Sequence, residues 1–146
     1  MKSFRFHLEH VLSWRGTQLT AAEAKAEQLL GGLRTTDKAM ADVVERRTVA
    51  QTTVGRAVNL SGAELAVFEA SRVWAIREEK RLAARSLALR QSIEVQNRCV
   101  TDARRGVKLI ERLKERKYVG WKAEADHELD DLAAESSIAQ WRRLNR

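Results

Sequence analysis

The chain has 146 residues, no proline, one cysteine and only 5% aromatic residues, while 32% of its residues are charged and its net charge is +7. Such a mix supports a thin apolar seam between helices better than a globular core, and it gives strands little support. One cysteine excludes an internal disulfide, no apolar run approaches the ~20 residues of a membrane span, and Met1 to His10 carries no signal-peptide apolar region, so a soluble, cytoplasmic protein is expected.

The first predicted element is a helix from about Phe4 to Ala57. Its apolar positions step by three and four without a slip: Leu8, Leu12, Arg15, Leu19, Ala22, Ala26, Leu29, Leu33, Thr36, Met40, Val43, Arg47, Ala50, Val54, Ala57. A sustained 3.5-residue period is the mark of helices wound around each other. Gly31-Gly32 interrupts the composition but not the period, which predicts a bend or a close approach and not a domain boundary. At 1.5 Å per residue this helix would be on the order of 80 Å long.

A turn is predicted at about 58–62. Ser61 followed by Glu64 three residues on is a capping box, in which serine oxygen and glutamate carboxylate each satisfy a free amide of a new helix. So short a connection folds the second helix back along the first.

The second helix is predicted from about 62 to 144, with its own array: Leu65, Phe68, Arg72, Ala75, Glu79, Leu82, Ser86, Leu89, Ile93, Gln96, Val100, Ala103, Val107, Ile110, Lys114, Lys117, Trp121. Folding at the turn sets Leu29 beside Ile93, Ala22 beside Val100 and Leu12 beside Ile110. Thr36 then meets Ser86 in a polar layer, and Arg47 comes within about one layer of Glu79. Polar residues inside such a seam fix its register, because a slipped pairing leaves them against apolar neighbours. Cys99 flanks the seam and is expected to be partly covered.

In that register Trp121 faces the start of the chain, and everything after it overhangs. Continuing the heptad gives Glu124, Glu128, Asp131 and Glu135, while the apolar stripe moves to Trp121, Ala125, Leu129, Leu132, Ile138 and Trp141. A lone amphipathic helix is poorly stabilised in water, so the uncovered tryptophan-bearing face predicts a protein partner. The expected fold is therefore all-α: one domain over residues 1–146, a long antiparallel two-helix coiled-coil hairpin with a C-terminal helical overhang.

Catalytic chemistry finds no support. His7 and His10 offer two potential metal ligands where a site needs four. Asp126, His127, Asp130 and Asp131 form a charge run of the kind that usually faces solvent or protein. There is no phosphate loop, and the hydroxyls lack a paired base. The sequence thus predicts no enzyme, cofactor, metal or small-molecule substrate. The basic segment Arg104, Arg105, Lys108, Arg112, Lys114, Arg116, Lys117 is diluted by Asp102, Glu111 and Glu115 and abuts the acidic stretch from Glu124 to Asp131. A phosphate-tracking helix gains nothing from adjacent acid, so no nucleic-acid partner is expected. Alternating patches of opposite sign suit a protein partner.

Both ends carry a family resemblance. Phe4-Arg5-Phe6-His7-Leu8-Glu9-His10-Val11-Leu12 followed by Arg15 resembles the opening of the flagellar FliJ family. Glu111 through Trp121 to Glu124 is similar to that family's Glu-Arg-Leu-(Lys/Arg)-Glu-Arg run before a tryptophan and an acidic helix. Leu129, Asp130, Asp131, Leu132 and Ala133 resemble its late Leu-Asp-Glu-Leu-Ala stretch. The resemblance implies a non-enzymatic stalk and chaperone-escort factor of the flagellar type III export apparatus, cytoplasmic and peripherally associated with the inner membrane. Its partners would be the hexameric export ATPase, the export-gate membrane protein and export chaperones. A self-associating structural coiled coil is a further option, but the intrachain register argues against needing a second copy, so the free protein is expected to be a monomer. The resemblance places Phe4, Phe6, Leu8, Val11, Arg112, Arg116, Lys117, Trp121, Leu129 and Leu132 in the ATPase ring, and Val44, Phe68 and Trp74 near the turn against the gate or a chaperone. Phe68 also fits a place capping the seam by its heptad position. The alternatives are the equivalent stalk of a virulence injectisome and, from another class, a basic coiled-coil nucleic-acid binder.

Overall fold

The computed structural model describes residues 3–144. Two long α-helices pack against each other: α1, Glu9–Arg56, and α2, Gly62–Leu144. No strand occurs among the described residues. Absence of proline and an alanine- and leucine-rich composition let both helices run unbroken, through Gly31-Gly32 in α1 as well. The turn forms as the capping box requires. The Glu64 amide donates to Ser61 Oγ (3.2 Å), and the Ser61 amide donates to Glu64 Oε2 (2.8 Å). The Ser61 amide first, and then the Ser61 hydroxyl, which also donates to Glu64 Oε2 (2.8 Å), hold the Glu64 carboxyl below its ordinary value.

The helix start differs from expectation. α1 begins at Glu9, not at Phe4, and residues 3–6 are extended. Side-chain exposure alternates there: Phe4, Phe6 and Leu8 are half-buried, while Arg5 and His7 are exposed. That is the two-residue period of an extended segment with one apolar face.

Contacts divide the chain into two units, Ala21–Thr101 and Met1–Thr20 with Asp102–Arg146. In the first, the core is Val43, Ala75 and Leu82, with Ala39 and Met40 packed against it. Gly32 brings α1 to within 3.7 Å of Leu89, measured from where its Cβ would lie, while nothing lies near Gly31. That is ordinary van der Waals contact, so neither glycine marks the close approach that the sequence suggested.

Polar keys sit inside this seam. Thr36 and Ser86 are both buried, as expected, but they do not bond each other. Thr36 turns its hydroxyl to the Gly32 carbonyl of its own helix (2.8 Å), while Ser86 donates across to Asp37 (3.0 Å). Arg47 pairs with Glu79 at 3.1 Å, leaving Arg47 Nε and Glu79 Oε1 without partners. A half-satisfied ion pair specifies alignment more than it stabilises. Gln96, also buried, donates to the backbone carbonyl of Ala22 at 2.9 Å. Cys99 is exposed, not partly covered.

No side chain among the described residues is less than 2% exposed. The accessible surface is 11866 Å², against about 7,600 Å² for an ordinary folded monomer of this mass. No helix among the described residues is long and apolar enough to cross a membrane.

Candidate functional site

The N-terminal segment docks on α2 within the unit formed by Met1–Thr20 and Asp102–Arg146. The Glu9 amide donates to the Phe6 carbonyl (3.2 Å) and the Leu12 amide to the Leu8 carbonyl (2.9 Å), which turns the chain into α1. Glu9 is tied to α2 by Lys114 Nζ at 2.8 Å. Residues 7–8 turn, and before them residues 3–6 lie outside any helix, where an extended chain covers about 3.3 Å per residue and a helix about 1.5 Å. Residues 3–6 therefore reach farther along α2 than helical residues would.

That reach builds an aromatic cluster. Phe4 meets Tyr118 edge-on at 5.4 Å between centroids and Trp121 at 5.8 Å, and Tyr118 lies 5.8 Å from Trp121. Each such pair adds about 0.5–1.5 kcal/mol beyond area burial. Ala125, one turn beyond Trp121, is only 8% exposed. Cover on α2 thus extends to Ala125 instead of stopping near Trp121.

Beside the cluster lies an open groove of about 440 Å³, lined by Phe4, Arg5, Phe6, His7, Leu8, Leu113, Lys117 and Trp121. Its floor is apolar, and Arg5 and Lys117 give its rim positive charge. It suits an apolar side chain carried by an acidic chain segment.

Of the expected ring residues, Phe4, Phe6, Leu8, Lys117 and Trp121 come together here. Arg112 and Arg116 are exposed and do not line the groove, nor does Val11, 38% exposed. Leu129 and Leu132 are bare on α2, with 50% and 61% of their surface exposed. Sequence reasoning missed Leu113 and Tyr118 as parts of this end, and the packing of the Arg15 side chain beside Gly106, 3.7 Å from where a Cβ there would lie. The guanidinium of Arg15 lies 5.1 Å from the Trp14 ring centroid. The Phe-Arg-Phe-His-Leu alternation was the available signal for the extended segment.

The unit Ala21–Thr101 carries a second, smaller depression of about 170 Å³, in which Phe68 and Trp74 line the walls with Arg46, Arg47 and Arg72. Phe68 is half-buried there, Trp74 is half exposed, and Val44 is exposed but outside it. His127 Nδ1 lies 2.9 Å from Asp131 Oδ2. Among the described residues no three His, Cys, Asp or Glu side chains are grouped as metal ligands.

Comparison with family models, curated proteins and solved structures finds no match to this chain.

Proposed function

We propose that the two helices form an antiparallel coiled-coil stalk that acts, without catalysing a reaction itself, as a FliJ-like component of the flagellar type III export apparatus. The antiparallel pairing is supported by cross-helix contacts within each unit. Asp37 meets Ser86 and Arg47 meets Glu79 in one, and Glu9 meets Lys114 in the other. Moving up α1 means moving down α2 from Asp37–Ser86 to Arg47–Glu79 in the first, and from Glu9–Lys114 to Arg15–Gly106 in the second.

The observation that carries the export role is the aromatic end. An apolar N-terminal segment clamps Tyr118 and Trp121, leaves a basic-rimmed apolar groove, and lies beside bare helix running on to Leu144. Two helices side by side are about 20 Å across, narrow enough to enter a hexameric ring. A two-helix insert presents unlike faces to six like subunits, so it would bias their conformations and modulate the partner's ATP hydrolysis. Phe68, Trp74 and Val44 would serve the export gate or a chaperone, and the protein would sit peripherally at the cytoplasmic side of the membrane.

The test is stimulation of the cognate export ATPase. Phe6→Ala with Leu8→Ala should reduce stimulation at least about tenfold, as loss of buried anchors does at interfaces, while far-ultraviolet circular dichroism shows the helices intact. Full stimulation by that folded variant would remove the ring-end assignment.

A further inference from the structure

One stripe of α2 is left unexplained by the contacts within its unit. At 3.6 residues per turn, Lys108, Arg112, Arg116, Val119, Ala123, Asp126 and Asp130 fall within about 80° of one another. They lie roughly opposite Val107, Ile110 and Trp121, and all seven are exposed.

The charges on this stripe are sorted rather than mixed. Lys108, Arg112 and Arg116 follow at four-residue steps, as do Asp126 and Asp130. Like charges four apart oppose helix formation. Elsewhere on α2 the opposite practice holds: Arg72 pairs with Glu69, Arg81 with Glu78, Arg98 with Glu94 and Arg105 with Asp102. No ion pair engages Arg112, Arg116, Asp126 or Asp130 among the described residues. Both rows lie on one uninterrupted helix and face the same way, so neither can reach the other within the chain.

Between the rows the stripe carries only Val119 and Ala123, whose small side chains let a second helix approach.

We infer that this stripe is a self-complementary docking surface whose occupant is a second copy of the chain. The two copies of α2 cross about a two-fold axis at residue 121. Arg112 of one copy then lies over Asp130 of the other, and Arg116 over Asp126, with Val119 facing Ala123. The axis makes every pair twice, as an isologous interface must, and it relieves Arg112, Arg116, Asp126 and Asp130 together, while Lys108 falls over Ala134. The monomer expected from the sequence rested on the intrachain seam, which uses the other side of α2. The pairing does not rest on the export role, and it excludes ring entry: two hairpins crossing at residue 121 are wider than the two-helix rod that fits a ring, so the dimer would be the form outside the ATPase.

Analytical ultracentrifugation of the full chain tests it. At about 50 mM salt the protein should show a concentration-dependent monomer–dimer equilibrium, weakened at least about tenfold at about 500 mM salt. Arg112→Glu with Arg116→Glu should weaken it on the order of a hundredfold, and Asp126→Arg with Asp130→Arg should do the same. Mixing those two variants should restore a heterodimer, because each then carries one sign at the four pairing positions 112, 116, 126 and 130. A wild-type chain that stays monomeric at low salt overturns the inference. So does a dimer that survives charge reversal, or folded variants that fail to pair when mixed.

Discussion

The unit Ala21–Thr101 and the unit of Met1–Thr20 with Asp102–Arg146 use the same helices for different ends. In the first, buried side chains include Val43, Ala75, Leu82 and Val100 together with the polar keys Thr36, Ser86 and Gln96. In the second, the buried residue is Ala125, and most large side chains stay half-covered or bare. One unit spends its polar groups on alignment and its apolar groups on cohesion. The other keeps both available at its surface. A chain with so little interior can hold a register in one place and display contacts in another.

Four changes would break or sharpen that contrast. Leu82→Ala should have the largest effect, lowering stability by about 2–4 kcal/mol through lost burial and the cavity left behind; urea unfolding would measure it. An equal loss from Phe4→Ala would mean that the display end is as cohesive as the seam. Gly31→Ala should raise stability by about 0.5–1 kcal/mol, since it removes a poor helix former where no neighbour crowds the new methyl group. A loss of stability in thermal melts would show that Gly31 serves contacts outside the chain.

Acidification should loosen the start of α2. Glu64 has its carboxyl held below the usual 4.5, so its contribution is present above that value and fades as pH falls through the lowered one. Protection of the amides near Gly62, corrected for the intrinsic exchange rate at each pH, should fall in acid, and Glu64→Gln should make that region less sensitive to pH. Smallest of all, ending the chain after Ala125 should leave the melting temperature almost unchanged while reducing helical signal, because residues 126–144 are exposed. A marked drop would mean that the overhang supports the seam.

Much of the seam was legible from residue spacing. The heptad steps placed Thr36 and Ser86 inside and Arg47 near Glu79, because side-chain period alone decides which face a residue occupies. The turn was legible because Ser61 and Glu64 satisfy amides at a fixed offset. Spacing does not tell which way a buried hydroxyl turns. Thr36 had a carbonyl of its own helix four residues back, which left Ser86 to find Asp37.

The N-terminal segment was misjudged for a related reason. Helix-favouring composition extended the first helix back to Phe4, whereas Phe4, Phe6 and Leu8 alternate with Arg5 and His7 over too few residues to outweigh it. Tertiary contact with Tyr118 and Trp121 decided the matter. The groove could not be foreseen without that extended path, and neither could the cover over Ala125.

That no side chain among the described residues is fully buried has a thermal consequence. A folded surface of 11866 Å² is about half that of the unfolded chain, whereas an ordinary domain of this length buries about 68–70%. Unfolding therefore exposes less new apolar surface to water, and the heat-capacity increment should fall below the usual ~12–15 cal/mol/K per residue. A smaller increment flattens the curve of stability against temperature. Cold and heat would then weaken the protein gradually, with a broad calorimetric transition in place of a sharp one.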